Sequence, residues 1–281
     1  MKLKDLFKSK KIIKTETTTV IETTIKTGTS EVTDKEEKKP FETVAPKEIG
    51  ILDMVIAFDT TGSMAAYIDA VRKEVADLIP NLFKHNENLR LGIVAFGDYC
   101  DMDNAQEFGD AYQCLMPTDN ENDLIKFVRE TKNTSGGDGD EFYELVIKKI
   151  VEETPWRNNS TRVILLISDA EPHPLGYTYK DHVVGNQIDW RKEAAKAAEM
   201  KIKIDTITIT NSPWYKELSQ MTNGVSVPFS SAHKTARLVE VATMARGSEA
   251  QRKEWDMKMC MCDDDETMAV YRSYKKERDA F

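Results

Sequence analysis

The chain has 281 residues, 40% of them hydrophobic and 31% charged, with a formal net charge of −9. That length suits one large domain with extensions, or two small ones, and the composition is that of a soluble protein able to build a core. The acidic balance argues against non-specific nucleic-acid binding, and no segment reaches the 18 apolar residues that a membrane span needs.

The first fourteen residues, MKLKDLFKSKKIIK, are basic and lack the apolar region of a secretory leader. They read as a solvated arm, or as a short amphipathic anchor through Leu3, Leu6 and Phe7. Residues 15–33 are threonine-rich, and serve equally as a pair of short strands or as a polar tether. The charged run DKEEKKP closes this extension, which is assigned to residues 1–48.

At Ile49 the pattern changes. ILDMVIAF is an apolar run of strand length ending at Asp59, the signature of a parallel strand buried on both faces. A helix follows, through about Pro80, with Met64, Tyr67, Ile68, Val71, Val75 and Ile79 at three- and four-residue spacing. The next strand is LRLGIVAF, followed by an acidic loop over 97–110 and a short strand over 111–116 that Pro117 stops. With no crossover helix before it, that short strand is expected to be an antiparallel edge. A helix over 120–131 leads to the glycine-rich TSGGDGDE and a helix over 141–152. RVILLIS is a second buried strand, ending at Asp169. A helix at 189–200, a strand at 202–209, a short helix near 214–221, the strand VSVPF and a helix at 234–247 complete a domain assigned to 49–248. Residues 249–281 are charged and read as an extra helix or a loose tail.

This alternation predicts an α/β fold: a doubly wound, mostly parallel six-stranded sheet with one antiparallel edge strand. Asp59, Asp98, Gly136–Asp140 and Asp169 then converge at the carboxyl ends of the strands, where open sheets place their sites. Within Asp59-Thr60-Thr61-Gly62-Ser63, one carboxylate and two hydroxyls can face one point. Oxygen-only donors select a hard cation: Mg²⁺, or else Mn²⁺ or Ca²⁺. The competing reading is a helix cap by Thr61 or Ser63.

These residues resemble the von Willebrand factor A (vWA) family over roughly 50–247. Its D-x-S-x-S pattern is matched by D-T-T-G-S, with threonine for the first serine, and Met64 extends the match; the later aspartate falls on Asp169 in LLISDAEPH. The resemblance implies a metal-ion-dependent adhesion site (MIDAS), and a partner carboxylate in an open coordination position. The second loop departs from the family. Asp138 stands where a threonine is expected, with Thr134 and Ser135 as alternative hydroxyl donors. The expected ligands are therefore Asp59, Thr61, Ser63, Asp138 and Asp169. A third carboxylate would neutralise the ion and weaken its pull on an acidic partner.

The acidic loop 98–110 would lie beside this site, as a solvated segment or as a holder of a second cation. His173, Tyr177 and Tyr179 could line the rim, while Trp156, Trp190 and Trp214 read as core or helix-face residues. Cys100, Cys114, Cys260 and Cys262 suit free thiols in a reducing, cytoplasmic setting better than a disulfide framework. The C-x-C pair at 260–262 lacks the further ligands of a zinc site.

Functionally, the sequence points to a cation-dependent protein-binding module, with self-association among its options and no nucleic acid or membrane span. The alternatives are an assembly component with a vestigial site and, less favoured, a metal-dependent phosphohydrolase. There is neither a P-loop nor a kinase signature. Thr61 stands where a phosphohydrolase would carry its second carboxylate.

Overall fold

The computed structural model describes residues 50–102, 111–179, 182–183, 188–228 and 235–279, and residues 46–281 form one compact unit. The basic arm and the threonine-rich stretch lie outside the described residues, as does most of the acidic loop. In chain order the elements are β1 (Leu52–Asp59), α1 (Ala65–His85), β2 (Leu89–Phe96), β3 (Tyr112–Thr118), α2 (Glu121–Glu130), β4 (Asp140–Glu141) and α3 (Tyr143–Glu153). There follow β5 (Thr161–Ser168), β6 (Glu171–Pro172), β7 (Thr178–Tyr179), β8 (His182–Val183), α4 (Trp190–Glu199), β9 (Ile202–Thr208), α5 (Pro213–Met221), β10 (Ser226–Pro228), α6 (Thr235–Ala245), α7 (Glu249–Met259) and α8 (Asp265–Arg278).

The main sheet has six strands in the order β10-β9-β5-β1-β2-β3. All pairs are parallel except β2–β3, so the antiparallel edge strand is where the sequence placed it. Every residue of β1 is buried. Its alternation sends Leu52, Met54, Ile56 and Phe58 to a core layer shared with α1, α2 and α6, and Val55 and Ala57 to a second layer under α3, α4 and α5. The strand neighbours of β1 are β5 on one side and β2 on the other. The loops leaving β1 and β5 therefore diverge at a switch point, opening a crevice above the strand ends.

Three local departures have identifiable causes. Helix α1 runs past Pro80 to His85. An internal proline costs about 3 kcal/mol, but Ile79 and Leu82 are fully buried on the same face and each contributes roughly 1.5–3 kcal/mol. Strand β3 likewise includes Pro117, because it is an edge strand and the β2–β3 register shifts between Leu91 and Ile93. Gly92 makes room there: a Cβ would lie 3.1 Å from the Pro117 ring. Finally, residues 249–279 form helices α7 and α8, whose Trp255, Met259, Val270, Tyr271 and Tyr274 are buried in the α1/α6 layer. Among the described residues, no helix is long and apolar enough to cross a membrane.

One charge inside β1 is fully buried. Asp53 accepts hydrogen bonds from the Arg90 guanidinium (3.0 and 3.0 Å), the Arg157 backbone and side chain (2.7 and 2.7 Å) and Ser160 (3.2 Å). Burial alone would raise its pKa, but the Arg90 and Arg157 bonds and charges outweigh it and hold the carboxyl below its ordinary value. A depressed folded pKa gives stability that is present above the unfolded value and lost as pH falls through the folded one. We therefore expect wild type to lose stability below about pH 4. Asp53→Asn should cost about 3 kcal/mol at neutral pH and show a shallower acid decline. Urea denaturation across pH measures both.

Candidate metal centre

Asp59 terminates β1 with no exposed surface. Its Oδ1 accepts the Thr61 amide (2.8 Å) and hydroxyl (2.7 Å), and its Oδ2 accepts the Tyr143 hydroxyl (2.6 Å). The chain of oxygens continues from Thr61 Oγ1 to Ser63 Oγ (3.3 Å), and from there to Asp169 Oδ1 (3.2 Å). The Thr61 side chain makes no cap hydrogen bond, so capping is not what occupies its hydroxyl. Four of the five expected ligand residues thus form one contiguous group spanning the β1 and β5 loops.

Asp138 is placed elsewhere. Its Oδ1 accepts the Asp140 amide (3.0 Å), its Oδ2 accepts the Tyr177 hydroxyl (3.1 Å), and it groups with Asp98 and His173. The alternative second-loop hydroxyls are also engaged. Thr134 Oγ1 pairs with Thr60 Oγ1 (2.9 Å), and Ser135 Oγ donates to Asp101 (2.7 Å). The carboxylate beside the Asp59 group is instead Glu141, 3% exposed, with Oε2 unpartnered. It lies against Thr61, and burial, then the charges of Asp59 and Asp98, push its carboxyl up to about 10. Burial also pushes Asp59 up to about 6 against the Tyr143 and Thr61 hydrogen bonds, and raises Asp169.

The second loop is laced to the first. The Thr134 amide donates to Thr60 O (3.0 Å) and the Gly62 amide to Ser135 O (3.1 Å). Asp101 gathers the Ser135, Gly136 and Asp98 amides. Gly97 permits this approach, since a Cβ there would sit 2.4 Å from Thr134 Oγ1 and 2.7 Å from Asp101 Oδ2. Gly97→Ala should therefore displace the loop and weaken cation affinity by about tenfold or more, as changes behind a metal site do. Calorimetric titration with Mg²⁺ checks this; unchanged affinity would show that the second loop does not support the site.

The residues fit a hard divalent ion. Neighbouring octahedral ligands at 2.0–2.1 Å from Mg²⁺ lie about 2.9 Å apart, and the Thr61–Ser63–Asp169 spacings of 3.3 and 3.2 Å need only small adjustment. Hydroxyl protons can rotate away to present lone pairs. The buried, unpartnered oxygen of Glu141 marks a locus where positive charge is wanted.

Of the other sequence candidates, Trp190 and Trp214 are buried in the second core layer and Trp156 packs against it. His173 is not a rim residue but is 3% exposed. The sequence reading missed Glu141, Tyr143 and Asp101. Glu141 stands in the string GDGDE, where several acids compete for one role. Tyr143 carries no signal beyond its place at the start of a helix.

An open α/β sheet with an oxygen cluster at its switch point defines a class of ligand-binding domain. Residues 53–243 match the von Willebrand factor type A domain model, and the chain belongs to that family. It is 29% identical over 148 residues to the alpha-protein kinase vwkA of Dictyostelium discoideum, a match covering 51% of this chain and only 22% of that protein's length. A structural neighbour is an aerotolerance-related membrane protein from Bacteroides fragilis, with 13% identity, a TM-score of 0.48, and coverage of 68% of this chain and 98% of that one.

Proposed function

We propose that this vWA domain is a divalent-cation-dependent protein-binding module, with Mg²⁺ the ion that suits its donors best. The observation that carries the reading is the contiguous oxygen group of Asp59, Thr61, Ser63 and Asp169 at the carboxyl ends of β1 and β5. vWA domains are protein-interaction modules as a class, and here the cluster reaches the surface at Gly62 and Ser63, both exposed. With Asp138 engaged by Tyr177 and Asp140, and Glu141 beside Thr61 as a protonated, uncharged carboxyl, the ion would meet two charged carboxylates, Asp59 and Asp169, rather than three. A doubly charged cation so held keeps enough positive field to take a carboxylate from a partner in its outward coordination position. The ion supplies that bridge when bound. The chain's own residues fix its place: Tyr143 orients Asp59, and Ser63 orients Asp169.

The test is a calorimetric titration of the metal-free chain with Mg²⁺, Mn²⁺ and Ca²⁺, followed by partner capture with and without chelator. One equivalent of Mg²⁺ bound, with capture lost in chelator, is expected. Absence of saturable binding by all three ions would overturn the proposal.

A further inference from the structure

We propose that Asp98, Asp138 and His173 form a second cation site, selective for a transition metal such as Zn²⁺ and independent of the Asp59 centre. One ligand atom from each of the three lies within 4.8 Å of the others. Asp98 follows the end of β2, Asp138 lies in the glycine-rich loop, and His173 directly follows β6, so three separate segments converge. Asp98 is fully buried and His173 is 3% exposed, while Asp138 is exposed and forms the open side.

The independent observation lies in an atom left over. Asp98 Oδ1 and His173 Nε2 meet at 2.6 Å, yet the second oxygen of the same fully buried carboxylate, Asp98 Oδ2, has no partner and lies within reach of an ion bound at Oδ1. An unsatisfied buried polar atom in a native protein calls for a water or an ion. The ring is already held for a ligand role. Tyr177 stacks on it at 3.6 Å and 19°, Tyr99 packs at 5.5 Å, and the Tyr177 hydroxyl donates to Asp138 Oδ2 at 3.1 Å. One aromatic side chain thus fixes two of the three ligands, as outer partners do in metal sites.

The donor set decides the metal. An imidazole with two carboxylates suits Zn²⁺, Co²⁺, Ni²⁺ or Mn²⁺, whereas Mg²⁺ and Ca²⁺ prefer oxygen alone. Among these, Zn²⁺ is the ion that His nitrogen and carboxylate oxygen hold in a four-coordinate tetrahedral site. The cation takes the place of the proton between His173 Nε2 and Asp98 Oδ1, and that proton leaves to solvent. Two ligands at 2.0–2.1 Å about a tetrahedral ion are about 3.4 Å apart, so the pair opens by under an ångström. The competing occupant is a proton, which would make a buried imidazolium–carboxylate pair and nothing more.

The experiment uses the full chain, stripped of metal and titrated with Zn²⁺ in excess Mg²⁺, with Co²⁺ as a spectroscopic probe. We expect one equivalent of Zn²⁺ in wild type and in Asp59→Asn. Asp138→Asn, a change at an exposed position that leaves the fold intact, should weaken binding by about tenfold or more. His173→Gln should remove it, together with the visible absorption of bound Co²⁺. No Zn²⁺ equivalent in wild type would assign the pair to the proton and overturn the proposal. Binding that survives both variants would assign the metal to thiols such as Cys260 and Cys262, and would overturn it equally. Loss of Zn²⁺ in Asp59→Asn would show one shared centre rather than two, against the independence proposed.

Discussion

Asp59→Asn is expected to remove Mg²⁺ binding while leaving the domain folded. The substitution keeps the shape of the side chain, so the loop is not undermined. The amide oxygen can still accept the Thr61 amide and hydroxyl, which lie 2.8 and 2.7 Å from Oδ1. The amide nitrogen then faces Tyr143, whose hydroxyl can turn to accept. What disappears is the negative charge at the centre of the oxygen group, and with it one of only two carboxylates expected on the ion. The loss of affinity should exceed about 100-fold, the upper range that outer partners of a metal site control. Asp59→Ala would remove the charge too, but it would leave the buried Tyr143 hydroxyl and the Thr61 donors unpaired, at about 1–3 kcal/mol each. The asparagine variant is therefore the one that separates binding from folding. Calorimetry with Mg²⁺, which the oxygen-only centre takes in preference to an imidazole site, reads binding beside a urea denaturation curve for folding. Full Mg²⁺ affinity in a folded Asp59→Asn protein would remove Asp59 from the site.

Much of this architecture was legible in the sequence because a few elements carry unambiguous signals. The runs ending at Asp59 and Asp169 have the length and continuous apolar character that fit strands buried on both faces, and those strands are neighbours in the sheet, on either side of the crevice. The edge position of β3 followed from the absence of a crossover helix. The ligand set was less legible, for a physical reason. DTTGS is one tight turn, so its geometry is encoded locally. The second loop reaches the site by long-range contacts, through Asp101 to Ser135 and Gly136 and through Thr60 to Thr134. Spacing alone could not show that Asp138 would turn toward Tyr177, 39 positions on, or that Glu141 would fill the place beside Thr61. The charged C-terminal segment hid its role in the same way. Its apolar residues are sparse, and only their meeting with α1 and α6 shows that they complete a core.

That completion leads to the second large effect. Arg246→Met is expected to destabilise the domain by about 3–5 kcal/mol, the cost of leaving one partner of a buried ion pair uncompensated. Arg246 follows α6 and is 6% exposed. Its guanidinium donates to both oxygens of Asp205 in β9 (3.1 and 2.7 Å) and to Glu277 in α8 (2.7 Å). Glu277 also pairs with Lys203 of β9. One cation thus ties the sheet to the last helix. Asp205 is fully buried, and although it accepts the Val225 amide at 2.8 Å, without Arg246 its charge has no counter-ion of comparable proximity among the described residues. Methionine fills much of the volume, which isolates the electrostatic loss from a cavity. Adding Asp205→Asn should restore a good part of the stability, since the amide oxygen still accepts Val225 and no charge is left buried. The recovery separates an ion-pair effect from lost packing. Urea denaturation of the two single variants and the double variant closes the cycle. The α8 lock fails as an explanation if Arg246→Met costs less than about 1 kcal/mol, the range of exposed pairs. If the lock holds, the single variant should also expose α8 to faster amide exchange than α1, because its charged anchor to the sheet is gone while Val270, Tyr271 and Tyr274 still hold it by packing alone.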